Sequence, residues 1–370
     1  MPLGTLACAL LCALLSGMSL RASAEAGWQL PVTAAFAPDG SLWRLRSDGE
    51  RLFADRSTDL GATFSAPVPI DPEVRHLALS AEERAAIAFA GAAVHVAWPV
   101  AAGAGTTRMF HAVSTDAGRS FSAPQPLEPE PGRLHRFALD AAGAWQHFWY
   151  RDPAPGAPAT LYSAAENTAQ SAPTALATGL CDCCRPALAV TPDGQPVLAA
   201  RFVYPGNIRD HGLIHPAANG TATVQRVTFD EWQVAACPVQ GPVLAIDGGG
   251  RYQLAWFTLG AHRGLFRAHS DDAGAHFSTP ESFGDPAAYA MNPALAVQGD
   301  RVALIWQEYR GGSIRIRAQR SADRGASWGP AQEIAAAPAP ADRAELLVRG
   351  ENFYLSWQTR DAYLLVPLAP

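Results

Sequence analysis

Three of the six cysteines of this 370-residue chain fall in one short run, Cys181-Asp182-Cys183-Cys184-Arg185-Pro186. A fourth, Cys237, follows in the stretch WQVAACPVQGP. Thiols crowded in this way have three chemical outlets. They can pair as disulfides, bind a soft metal as thiolates (copper(I) ahead of zinc(II)), or cycle as a redox-active dithiol. Cys237 can pair with one member of the trio, but pairing the remaining two over so short a separation suits disulfide geometry poorly. One disulfide with two free or metal-bound thiols, and a full site of Cys181, Cys183, Cys184 and Cys237, are both consistent with these residues. His211 could add a nitrogen ligand, and Arg185 and Arg209 would balance the thiolate charge.

Two further groups carry functional side chains. Arg209-Asp210-His211 follows Asn207, and Glu308-Tyr309-Arg310 brings three types of group together. With Arg185 and Arg360 they supply the ligand-binding candidates Arg185, Arg209, Asp210, Arg310 and Arg360. Each also has a plain reading as a solvated loop, and Asp210 as a loop cap.

The chain opens on an apolar run ending Ala22-Ser23-Ala24, which reads as a secretory signal cut before Glu25. The expectation is an exported protein, periplasmic or extracellular, whose residues 25–370 form a single domain. No later stretch is apolar for long enough to span a bilayer. A formal net charge of −6 without basic runs argues against nucleic acid or anionic lipid as partner.

Repetition fixes the elements that must position these residues. Four segments share the pattern Ser-x-Asp-x-Gly-x-x-aromatic, beginning at Ser57, Ser114, Ser270 and Ser321. The stretches around Ser163 and His215 occupy the places of two decayed copies. In such a box the Asp accepts hydrogen bonds from turn amides, and Gly takes a backbone shape other residues resist. Strand-like segments with large residues at Trp43, Trp98, Trp149, Phe202, Trp256, Trp306 and Trp357 recur about every fifty residues. Each follows another short apolar strand, and no amphipathic helix intervenes. The spacing predicts an all-β propeller of four-stranded antiparallel blades, seven in number, or six if one unit is irregular. The last unit is one strand short, and the segment GWQLP at residues 27–31 is expected to complete it and close the ring. The large aromatics are expected between blades.

Asp boxes in an exported propeller resemble the sialidase, or BNR-repeat, superfamily over essentially the whole mature chain. The run CDCCRPALA, then NIRDH, then WQVAACPVQGP is similar to a bacterial group of sialidase-like proteins. The superfamily resemblance implies an exo-α-sialidase, a glycoside hydrolase of terminal sialic acids, with three arginines on the substrate carboxylate and a tyrosine nucleophile assisted by a glutamate. Tyr309 with Glu308, and Arg185, Arg310 and Arg360, would fill those roles here. The family's first arginine stands in a Phe-Arg-Ile-Pro motif, and the matching Trp28-Gln29-Leu30-Pro31 carries Gln29 in its place, which cannot clamp a carboxylate bidentately.

In a propeller, loops entering the innermost strands and loops leaving the second strands share one face around the axis. Cys181 to Arg185 and Cys237 enter consecutive blades at equivalent positions, so all four sulfurs are expected to meet on that face. The expected ligand there is a soft metal, copper before zinc, with a glycan or other small molecule as the alternative. A non-catalytic scaffold docking a protein partner, stapled by disulfides, is the third reading.

Overall fold

The computed structural model describes residues 21–24, 29–152, 157–166 and 172–369. It is a seven-bladed β-propeller, each blade a four-stranded antiparallel sheet. The blades span residues 29–69, 86–126, 133–180, 187–226, 243–283, 291–338 and 345–367, the last joined by Arg21–Ala24. A three-residue 3-10 turn lies at Pro286–Ala288.

The first strand of each blade lies innermost, and its small residues, such as Ala34, Ala86 and Ala187, line an axial cavity of about 550 Å³. The second strands are buried on both faces and so read as nearly continuous apolar runs. Trp98, Trp149, Trp256, Trp306 and Trp357 stand on them, each at most 1 % exposed. Phe202 sits just beyond the fourth blade's second strand and is likewise buried.

All four boxes fold alike. In the first, Ser57 Oγ donates to Asp59 Oδ1 (2.8 Å) and accepts from Gly61 N (2.8 Å), while Thr63 N donates to Asp59 Oδ1 (2.9 Å). These bonds hold the carboxyls of Asp59, Asp116, Asp272 and Asp323 at about 2. The box glycine is required twice over. Gly118 has φ 81°, and a Cβ there would sit 2.4 Å from the Trp43 ring of the preceding blade. Each box thus keys one blade to the one before it. At the decayed fourth position, Asn219 Oδ1 accepts from Thr221 N and Oγ1 and so caps the turn with a side-chain oxygen.

The strand that completes the last blade is not residues 27–31. Arg21–Ala24 pairs antiparallel with Ala362–Pro367, Arg21 lying opposite Leu365. Gln29–Phe36 is instead the innermost strand of the first blade, because Val32 and Ala34 alternate into the core and pair through to Leu42–Ser47. Gly27 and Trp28 lie outside the described residues, as does most of the expected signal segment. A cut before Glu25 would remove the completing strand.

Two acceptor-rich points lock the ring. Asp342, entering the last blade, accepts from Val32 N (2.9 Å) in the first blade and pairs with Arg84, which enters the second. Arg84 also donates to Val32 O (2.7 Å) and Arg343 O (3.0 Å). In the first blade, Asp55 is clamped by Arg44 Nη2 at 2.9 Å and Arg46 Nη2 at 2.6 Å, fully out of solvent.

Between the second and third blades, His95 Nδ1 meets His111 Nε2 at 3.2 Å. Burial, and then the neighbouring His95, lower His111 to about 4. An unfolded imidazole binds its proton near 6.5, so the folded state binds fewer protons between pH 6.5 and 4, and stability falls as pH drops through that window. His111→Gln is expected to flatten this loss by about 1–2 kcal/mol between pH 7 and 5. Urea unfolding at the two pH values measures it, and an unchanged pH difference would rule this pair out as the source.

Candidate functional site

The segment ending the third blade runs alongside the exit of the fourth blade's second strand. Leu180 bridges Phe202, Cys181 N donates to Arg201 O (2.8 Å), and Val203 N donates to Gly179 O (2.7 Å). A turn then brings Cys184 N back to Cys181 O at 3.3 Å. This turn folds three sulfurs inward. Cys181 Sγ lies 3.2 Å from Cys184 Sγ and 3.6 Å from Cys183 Sγ. Cys237, entering the next blade, is disulfide-bonded to Cys183 with the Cα atoms 6.2 Å apart. Cys237 therefore joins the trio through Cys183 alone, on the face where strands enter the channel: within 4.8 Å its Sγ groups with Cys183 and Asp182, and Cys181 and Cys184 remain as two buried thiols.

The two thiols are unequal. The hydrogen bond from Cys184, aided by Arg209 and Arg201, brings Cys181 down to about 6 against the opposing effect of burial. Cys184 is pushed up by giving that hydrogen bond and by burial. Near neutral pH the pair is thus a thiolate with a thiol donating to it, the state from which sulfur binds metal or attacks. Arg209 Nη1 lies 3.3 Å from Cys181 Sγ and is oriented by Asn207 Oδ1 at 3.0 Å.

Arg201, which sequence reasoning passed over, anchors the centre. It is fully buried and gives its donors to Arg209 O (2.8 Å), Phe257 O (2.7 Å) and Gln240 O (3.1 Å), tying the fourth blade to the fifth. The only sequence trace of it is an arginine closing an otherwise apolar strand, PVLAAR.

His211 does not join the sulfurs. Its Nδ1 faces Thr228 Oγ1 at 3.2 Å and its ring lies against Trp256. Among the described residues, no ligand group whose atoms lie within 4.8 Å of one another combines it with a cysteine. The reason is strand alternation, since His211 begins a strand and turns into the seam between blades. Asp210 is a structural cap that accepts from Asp230 N and Glu231 N and pairs with Arg226.

The sialidase-type set is dispersed. Glu308 and Tyr309 are successive residues of one strand, so they point to opposite faces. Glu308 is occupied by Trp306 Nε1 (2.8 Å) and Asp285 N (3.2 Å), while Tyr309 is exposed. Arg310 lines a separate cleft with Glu308, Arg315 and Arg317. Arg360 sits exposed in the turn before the last strand, and Arg185 lines the axial cavity, paired with Glu82 at 3.0 Å.

That cavity gathers other cations that the sequence reading left aside. Arg136 donates only to the carbonyls of Pro186 (2.7 Å) and His135 (2.6 Å). Arg343 reaches only to 3.8 Å of Glu345, and its Nη1 is buried without a hydrogen-bond partner. Burial first, then Arg185, lowers both guanidinium groups.

The disulfide closes a 54-residue separation, for which loop-closure entropy gives about 4 kcal/mol. Cys183→Ala with Cys237→Ala is expected to lose that stability in urea unfolding. A loss below about 1 kcal/mol would mean that the pair is not bonded in solution.

No family model and no curated protein matches this sequence. Solved structures do match its shape. A polysaccharide lyase described as an ulvan lyase superposes with a TM-score of 0.59 at 9% identity, covering 90% of this chain and 91% of that one. An α-L-arabinanase of Penicillium chrysogenum, complexed with arabinobiose, gives 0.51 at 13% identity over 83% and 98%. A protein of unknown function from Dyadobacter fermentans gives 0.52 at 14% identity over 95% and 94%. Among the described residues no helix is long and apolar enough to cross a membrane. At such identities each likeness is one of fold, and the chain takes its place among propellers whose solved members include glycan-active enzymes.

Proposed function

We propose that this chain is an exported propeller whose sulfur centre on the channel face binds a soft metal ion, copper(I) ahead of zinc(II), in metal handling or as an accessory protein. One observation carries the reading: the sulfurs of Cys181, Cys183 and Cys184 lie within 4.8 Å of one another, with Cys237 of the neighbouring blade tied to the cluster through Cys183. Tetrahedral thiolate ligands about 2.3 Å from an ion stand roughly 3.8 Å apart. The separations of 3.2 and 3.6 Å are close to that spacing. With the disulfide formed, Cys181 and Cys184 remain as the ligand pair; reduction would supply four. Arg209 and Arg201 offset the thiolate charge.

The test is metal content of protein exported to an oxidising compartment, beside Cys181→Ser/Cys184→Ser. Copper bound by the parent and absent from the variant is the expected result. Equal copper in both ends the proposal.

A second reading rests on the axial cavity, where Arg343 has Glu345 no nearer than 3.8 Å and a buried Nη1 without a partner, and Arg136 donates to carbonyls, beside Arg185. Such a cavity suits the carboxylate of an acidic glycan, and glycan-active neighbours of the same fold support it, one of them bound to the repeat -[GlcA(1-4)Rha3S]-. Calorimetry with acidic and neutral oligosaccharides discriminates. Binding of the acidic one alone, lost in Arg343→Gln, is expected; equal heats for both would exclude it.

A further inference from the structure

A second cluster of ligand-type side chains lies between the second and third blades, apart from the sulfur centre. Glu128 follows the outer strand of the second blade, while His135 and His147 stand on the first two strands of the third. All three side chains are buried, and their ligand atoms lie within 4.8 Å of one another. The rings of His135 and His147 lie nearly parallel, and Trp149 stacks on the far side of His147.

The hydrogen bonds fix which atoms carry protons. Thr107 Oγ1 donates to Glu83 Oε1 at 2.8 Å, so towards His135 it can only accept, at 3.0 Å from Nε2. His135 therefore carries its proton on Nε2 and presents a lone pair at Nδ1. That lone pair faces His147 Nε2 at 2.8 Å, which must be the donor. His147 is left with its own lone pair at Nδ1. Facing it at 3.4 Å is Glu128 Oε2, itself an acceptor when ionised. Glu128 Oε1 already takes Met109 N at 2.6 Å. Oε2 and His147 Nδ1 are both buried without a hydrogen-bond partner. With Glu128 ionised, two acceptors face each other inside the protein, an arrangement that calls for a cation, whether a proton or a metal ion, between them.

We propose that Glu128 Oε2 and His147 Nδ1 bind a divalent transition-metal ion of the zinc or cobalt type, with His135 as the positioning residue that fixes the His147 tautomer. Ligand distances near 2.1 Å from one ion would leave the two donor atoms about 3.4 Å apart at a tetrahedral angle, the separation found here. The chain from His135 through Thr107 to Glu83 is the outer hydrogen bonding that metal-bound histidines commonly carry. His135 and Met109 also line the axial cavity, which gives an ion a route in.

The experiment titrates cobalt(II) into the metal-free full chain and reads stoichiometry and absorption. Cobalt at the sulfur centre gives a sulfur-to-metal charge-transfer band, and cobalt at this site gives ligand-field bands without it. The expected result is one equivalent without charge-transfer character, lost in His147→Ala and in the isosteric Glu128→Gln. In His135→Ala its affinity falls by about 10- to 100-fold. A charge-transfer band unchanged across these variants shows that the sulfur site is untouched. Equal cobalt binding in parent and Glu128→Gln, or no cobalt beyond the sulfur-bound ion, overturns the proposal and leaves a proton-bridged pair.

Discussion

Asp342→Ala is expected to lower the unfolding free energy by about 3–5 kcal/mol, the cost of stranding a buried charge. Its carboxylate holds Val32 N, Arg343 N and the Arg84 guanidinium, so three blades meet on one side chain. Arg84 is itself buried and keeps only two carbonyls once the carboxylate is gone, with Glu345 no nearer than 3.6 Å. Replacing both partners with apolar residues, Arg84→Met with Asp342→Leu, should cost less than Asp342→Ala alone. Urea unfolding of the three proteins decides. A double variant less stable than Asp342→Ala would mean that packing, and not the stranded charge, sets the cost.

The second large effect is expected from Gly241→Ala, above about 4 kcal/mol. A Cβ at this position would lie 1.9 Å from the carbonyl oxygen of Arg185 and 2.8 Å from its Cγ. Neither atom can withdraw, because Pro186 follows the one and Pro242 follows Gly241. The clash forces apart the strands that bring Cys237 to the trio and Gln240 O to Arg201. Buried Cys181 and Cys184 should then react with a thiol reagent in the native protein, which the parent resists. Gly248→Ala, with nothing within 4 Å of its added carbon, is the control and should be nearly neutral. Parent-like stability in Gly241→Ala would show that the fourth and fifth blades do not approach so closely.

The fold was legible because its signals are local and repeated. A box needs only eight residues to declare a turn, and Trp98, Trp149, Trp256, Trp306 and Trp357 mark the second strands of five blades; Trp43 stands nearer its box turn, with Arg46 at the equivalent place, and Phe202 lies just beyond its strand. The approach of Cys237 to Cys183 was legible for the same reason, since equivalent positions of neighbouring units lie side by side. Single, unrepeated interactions were not legible. Arg84 and Asp342 pair across 258 residues, and nothing near either one names the other. Glu128 follows an outer strand and reads as a surface acid in the run PLEPEPG, yet it is 2 % exposed. His211 was misjudged because sharing a loop cluster with the cysteines says nothing of which way a strand residue turns. The same limit separates Glu308 from Tyr309, whose adjacency in sequence is what keeps their side chains apart.

Setting Arg21 opposite Leu365 joins segments far apart in the sequence. In the uncut chain the early strand must wait, unpaired, until residues 362–367 have left the ribosome. Bringing such distant partners together carries the entropy of a very long loop, so this pairing should be among the slowest native contacts to form. A truncated product lacking residues 362–367 could complete six blades and still present raw backbone at both ends, inviting association with its own copies.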